Sequence, residues 1–193
     1  MKHSSIIGLL LLVTGISICG EYTEFEYDSV AGQYPNFMKP MKANMLKEKH
    51  ETAEKVKNKI NSESYQMLKD SVDEFDKDTI EVFSNNNFSI FSISIMKVKS
   101  NSITVKEELH SFVNSTKRIG GEKNLQLNHS QPQIAGHTFS RVDIKPSYRQ
   151  ENLTTSLLVN QHADMKYMIL ILADGNTYKT EIDRFLDKLR FKQ

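Results

Sequence analysis

The sequence predicts an α+β domain, a twisted and mostly antiparallel sheet with helices packed on it. Three observations carry this. Apolar runs of strand length follow one another through short turns from Thr79 onward. Short turns join antiparallel neighbours, because a parallel crossover takes about a dozen residues or more. Three other stretches repeat apolar residues at three-, four- and seven-residue steps, the spacing of one helix face. Finally, Tyr167 to Leu172 is apolar on both faces, which marks a strand in the middle of a covered sheet.

Residues 1–20 are expected to lie outside that domain. Lys2 and His3 precede the apolar run Ile6 to Val13, and small residues follow through Gly20. This is the pattern of a secretory signal peptide. The run is shorter than the about 20 apolar residues that span a bilayer. Residues 21–193 then form one domain, near the ~150 residues typical of a single unit. Cys19 is the only cysteine of the chain. Cleavage beyond it leaves a mature protein without a thiol, hence without disulfides or thiolate metal sites. The alternative is lipid attachment at Cys19, since Ile16-Ser17-Ile18-Cys19 partly fits a lipobox, although Ile18 stands where a small residue is usual. Either way the expected location is extracytoplasmic: periplasm, envelope or secreted.

Within 21–78, Tyr22, Phe25, Tyr27 and Val30 alternate loosely with acids, which suits an edge strand or extended arm. Gly32, Pro35 and Pro40 punctuate a predicted loop. A Met- and Lys-rich helical segment follows, with Met41, Met45, Ala53, Val56 and Ile60, then Met67 or Leu68, Val72 and Phe75 on one face. Asn61-Ser62-Glu63-Ser64 interrupts it, giving two helices or one that bends. Residues 79–193 begin with a predicted hairpin: Thr79 to Ser84, a polar turn at Asn85-Asn86-Asn87, and Phe88 to Lys99. Thr104-Val105-Lys106-Glu107 reads as a capping box. It opens a helix whose stripe is Val105, Leu109, Phe112, Val113 and Thr116, and which Gly120-Gly121 closes. Four strands are expected next: Leu125 to Gln131, His137 to Ile144, Leu153 to Gln161 and Met165 to Ala173. After Asp174-Gly175-Asn176, a last helix carries Tyr178, Ile182, Phe185, Leu186 and Leu189 on one side and runs toward Phe191.

This second half resembles the PsbP/Mog1-like fold, and more narrowly the bacterial exported proteins of the DcrB kind. The resemblance rests on the capped helix and on Pro132-Gln133-Ile134-Ala135-Gly136-His137-Thr138-Phe139 opening a strand. It also rests on the long hairpin, the strand Lys166 to Ala173 and the helix ending in Leu189-Arg190-Phe191, so it covers about residues 79–191. Members usually open with a strand pair containing Pro and Trp; this chain has no Trp and inserts the Met- and Lys-rich helices. The resemblance implies a non-catalytic accessory or scaffold protein that works through protein contacts.

Little in the residues points to a reaction. There is no Gly-rich phosphate loop, no Gly-x-Ser-x-Gly elbow and no His-Glu-x-x-His helix. No catalytic residue and no cofactor is expected. A hairpin that brought His129 and His137 together would, with Asp143 or Asp164, offer zinc ligands for a metal-assisted hydrolase, but surface histidines fit the spacing better. Asp70, Asp73, Glu74, Asp76 and Asp78 lack the Gly of an EF-hand loop and read as a solvated helix end. Acids and bases balance once Lys2 is removed, so nucleic acid is not an expected partner. Charge is nevertheless segregated, with net +4 over residues 39–60 and net −5 over residues 61–81. The basic stretch is a solvated helix face or a contact for anionic lipid or an acidic protein. Met38, Met41, Met45 and Met67 are core filling or, in a second reading, the lining of an apolar-ligand carrier. Asn87, Asn114, Asn128 and Asn152 open Asn-x-Ser/Thr sites that matter only in a eukaryotic secretory pathway. The expected function is that of an exported, non-enzymatic envelope protein with an unknown protein partner.

Overall fold

A computed structural model describes residues 21–85, 91–100, 102–120, 125–146, 153–174 and 177–192. The export segment with Cys19, the sites at Asn87 and Asn152, the start of the Phe88 strand, Gly121 and the Gly175-Asn176 turn lie outside these residues. The chain begins with β1 (Tyr22–Glu26), β2 (Val30–Pro35) and β3 (Lys39–Pro40). Two helices follow, α1 (Lys42–Val56) and α2 (Ser62–Asp78), then the hairpin β4 (Thr79–Ser84) and β5 (Phe91–Lys99). Helix α3 (Val105–Gly120) leads into β6 (Leu125–Ser130), the small hairpin β7 (Gln133–Ile134) and β8 (His137–Thr138), and β9 (Ser140–Pro146). The long hairpin β10 (Leu153–His162) and β11 (Met165–Asp174), α4 (Lys179–Lys188) and β12 (Arg190–Phe191) complete it.

Seven strands form the main sheet in the order β3-β4-β5-β11-β10-β9-β6, and β1, β2 and β12 form a second sheet in the order β1-β2-β12. Every pairing is antiparallel. The α+β class is therefore as the short turns predicted. β11 occupies the centre, and its alternation explains why it is apolar throughout. Ile169 and Ile171 join the core that holds α4 and the second sheet, while Met168 and Leu170 pack with α3. Leu158 and its neighbours Leu157 and Val159 divide between the same two cores.

The helical segment does split at Asn61, whose side chain accepts the Ser64 amide at 2.8 Å and caps α2. α1 has no such side chain at Met41. Its cap comes from Glu81, a buried carboxylate on β4 where the β4–β5 register shifts. Glu81 Oε1 accepts from the amides of Met41, Lys42 and Val82 at 3.2, 2.7 and 2.9 Å, and Oε2 from the Tyr27 hydroxyl at 2.6 Å. Burial, and then this bond to Glu81, pushes the Tyr27 hydroxyl well above its ordinary titration range.

Three expectations are corrected. Gly32 to Pro40 is not simply a loop, because Val30–Pro35 is a strand paired on both sides, with β1 and β12. Gly32 lets the Phe25 ring pack against this strand, since a Cβ there would lie 2.9 Å from the ring and force it to shift. The last helix ends at Lys188 rather than running to Phe191. Leu189 turns extended with its side chain fully buried, and Arg190 and Phe191 pair with Ala31 and Val30. Finally, the His137 to Ile144 run is two strands, because Ala135 and Gly136 take positive φ and fold His137 back on Ile134.

Candidate functional site

The sheet places one long strand at its rim. Among the described residues β6 has β9 as its single partner, in unbroken register from Leu125 opposite Pro146 to Ser130 opposite Arg141. Side chains alternate across a strand, so Leu127 and His129 share the face of their partners Ile144 and Val142. That face is covered by α3, whose Leu109 and Val113 pack on Val142, Ile144, Leu157 and Val159. The helix sits over β9 and β10. β6, one strand further out, stays exposed from Gln126 to Ser130, and Leu127 keeps 40% of its surface. Between helix and strand runs a groove of about 1270 Å³. Leu109, Val113 and Leu127 supply its apolar floor, and Lys106, Lys117 and Arg141 its cationic rim.

Two polar devices fix α3 above this groove. The capping box forms as the sequence predicts: the Thr104 amide donates to Glu107 Oε2 at 2.8 Å, and the Glu107 amide donates to Thr104 Oγ1 at 3.2 Å. The Thr104 amide, and then the Thr104 hydroxyl, which donates to the same oxygen at 2.8 Å, hold the Glu107 carboxyl below its usual range. The second device is Lys166 of β11, buried to 1% exposure. Its Nζ donates to the Ile103 carbonyl at 2.5 Å and to Glu108 Oε2 at 3.4 Å. A buried ammonium needs such partners. Together they pin the start of the helix to the central strand.

The electrostatics of the groove are one-sided. Glu107 is the one acid among its described lining residues, and it is engaged in the cap. Arg141 Nε pairs with Asp143 Oδ1 at 2.6 Å, and Ser156 donates to the same oxygen. Lys106 and Lys117 have no acidic partner among the described residues, and His110 and His129 line the same space.

The histidines and acids singled out in the sequence are dispersed. His129 lines the groove, whereas His137 packs edge-on against His162 and Phe191, at ring separations of 5.8 and 5.7 Å, beside a different pocket. Asp143 is held by Arg141 and Ser156, and Asp164 lies in the β10–β11 turn, where its carbonyl accepts the Ser100 amide. Among the described residues no three His, Cys, Asp or Glu side chains converge on one point. The acids of α2 are surface groups. Asp76 pairs with Lys42 at 3.1 Å and Asp70 accepts from Gln66 at 2.7 Å, so the basic α1 lies against an acidic neighbour. Met38 is buried in the core, while Met67 is 67% exposed; the Met-bearing helices do not line the groove. Asn114 and Asn128 sit on α3 and β6. Sequence reasoning found β6 as a strand but missed its position. The available signal was its composition, two leucines among four polar residues, which is too polar for a covered strand.

No helix among the described residues is long and apolar enough to cross a membrane. Neither a protein-family model nor a curated protein matches the sequence. The structure is similar to the solution structure of cyanobacterial PsbP (CyanoP) from Synechocystis sp. PCC 6803. The TM-score is 0.55 and the identity 10%, over 92% of this chain and 96% of that one. That share exceeds residues 79–191, so the likeness extends into the N-terminal segment as well. The chain therefore has a PsbP-like α+β fold, with a cationic, apolar-floored groove at one rim of its main sheet.

Proposed function

We propose that the chain is an exported, non-enzymatic protein that works by holding another protein, and that the α3–β6 groove is where it does so. The observation that carries this reading is the groove itself, an apolar floor beside a strand edge and lysines that have no partner among the described residues. Such a surface offers shape and charge to a partner and presents no convergent set of reacting groups. Export is supported by Lys2, the Ile6 to Val13 run and the small residues before Glu21. The mature chain begins after Gly20, or at Cys19 if that residue carries the lipid anchor. The intended setting is the space outside the cytoplasmic membrane, free or tethered to its outer face.

The test is site-specific photocrosslinking in the cells that make the protein, with the photoreactive residue at position 127 and, as control, at exposed Met67 on α2. A discrete crosslinked species from position 127 and none from position 67 is the expected result. Crosslinks that are absent, or equal at both positions, remove the groove as a contact site. Intact mass of the protein from the extracytoplasmic fraction checks the export part. Recovery of the chain with Met1 still attached, in the cytosol, contradicts it.

A further inference from the structure

We infer that β6 is a docking edge for an extended, acidic segment of a partner protein, which adds as an eighth strand and lays alternate side chains into the α3 groove. This rests on the contact function proposed for the groove and specifies its occupant. The first argument comes from how the rims of the two sheets are protected. A free strand edge invites pairing with any chain that meets it, and proteins blunt such edges with charge, proline, bulges or brevity. β3 has two residues, Lys39 and Pro40. β12 also has two, one of them Arg190. β1 carries Glu24 and Glu26 on its five residues. β6 has none of these defences. It is six residues long, Leu125-Gln126-Leu127-Asn128-His129-Ser130, with no lysine, arginine, acid or proline and no register shift against β9.

The second argument is geometric. A strand added beside β6 lies about 4.8 Å from it and points every other side chain to the face of Leu127 and His129. That face opens on Leu109 and Val113, so the inward residues meet an apolar floor and the backbone ladder provides the remaining affinity. The third argument is charge. Lys106 and Lys117 stand on the helix above, without acidic partners among the described residues, and Glu107 is occupied by Thr104. An incoming segment with carboxylates satisfies both lysines, whereas a basic one is repelled.

The test uses the full mature protein and a short, capped, fluorescent peptide alternating leucine and glutamate, with the leucine–lysine alternation as control. Anisotropy should show binding of the acidic peptide alone. Backbone amide exchange should slow across Gln126 to Ser130 when it binds. The double substitution Lys106→Glu with Lys117→Glu, both on the exposed side of α3, should weaken the acidic peptide at least about tenfold, or 1.4 kcal/mol, and admit the basic one. Three results overturn the proposal: no binding of either peptide, equal binding of both, or binding without protection in β6. Concentration-dependent self-association that protects β6 without peptide also overturns it, in favour of a second copy of this chain. The two readings separate cleanly. If peptide binding fails while crosslinks from position 127 persist, the groove remains a contact site and the added strand is wrong. If both fail, the function proposed for the groove falls as well.

Discussion

The two faces of the seven-stranded sheet are closed by different means. On one, aromatic rings from distant parts of the chain interlock. Phe83 of β4 lies 4.8 Å from Phe25 of β1 and 4.7 Å from Tyr34 of β2, and Phe185 of α4 packs at 5.8 Å from it. The second sheet and α4 then seal this layer, so Phe83, Phe185 and Leu189 are fully buried. On the other face α1 and α2 lie over β4 and β5, while α3 rests on aliphatic side chains of β9 and β10 and its footprint stops short of β6. Large rings fill a wide gap and reach several elements at once. Leu109 and Val113 fill a narrow one and leave the rim open. Stability is concentrated on the first face, and access on the second.

The largest effect should come from breaking the aromatic layer. Phe185→Ala removes a ring with no solvent exposure that touches both Phe25 and Phe83, and should lower unfolding free energy by about 3–5 kcal/mol in urea titration. Leu127→Ala on the open side should change it by no more than about 0.5 kcal/mol, as surface substitutions do. If Leu127→Ala costs as much as Phe185→Ala, something covers β6 and the asymmetry is false.

A second, smaller break concerns the joint between the arm and the helices. Glu81 accepts from two amides at the start of α1 and from Tyr27, whose ring joins the aromatic core. Glu81→Ala leaves the half-buried Lys42 amide and Tyr27 hydroxyl without this acceptor, while the Met41 amide keeps the Val82 carbonyl at 2.7 Å, and should cost about 1–3 kcal/mol. Glu81→Gln keeps one oxygen for the amides and should recover roughly half of that loss. Thermal unfolding followed by circular dichroism distinguishes them. Equal losses would mean that shape, not the acceptor oxygens, is what Glu81 provides.

Glu81 also shows where sequence reasoning stops. Caps within one turn are the readable kind, because donor and acceptor are a few residues apart: Thr104 with Glu107 reads as a capping box, whereas Asn61 reads only as a break until its bond to the Ser64 amide is seen. The cap of α1 comes from 39 residues further along the chain, and no local pattern marks it. The same holds for β2 and β12. Gly32 and Pro35 look like loop residues until the C-terminal Arg190 and Phe191 supply a ladder partner. Strand Leu125 to Gln131 was legible almost to the residue, but its rank at the sheet edge depends on the order in which β9, β10 and β11 stack. The candidate site is an edge property, so its residues were seen and its existence was not. His129 and His137, whose pairing is the weaker reading of the spacing, lie apart because the Ala135-Gly136 turn sends His137 back along Ile134.

The smallest effect tests how the open face is held. The helix α3 begins at a solvent-exposed polar cap, which should make its first turn sensitive to acid. The Glu107 carboxyl titrates below its ordinary value of 4.5 because the Thr104 amide, and then the Thr104 hydroxyl, bond to its charged form. A group with a depressed folded-state pKa contributes stability that is present above the unfolded value and is lost as pH falls through the folded one. Amide exchange in the first turn of α3 should therefore quicken as pH drops below 4.5, after correction for intrinsic rates. Thr104→Ala should lower stability by about 1 kcal/mol at neutral pH and flatten that acid response, since it removes the hydroxyl that reciprocates the cap. Protection lost equally in the wild type and the variant would assign the acid response to other carboxylates. α3 would then be anchored by Lys166 and its aliphatic contacts alone.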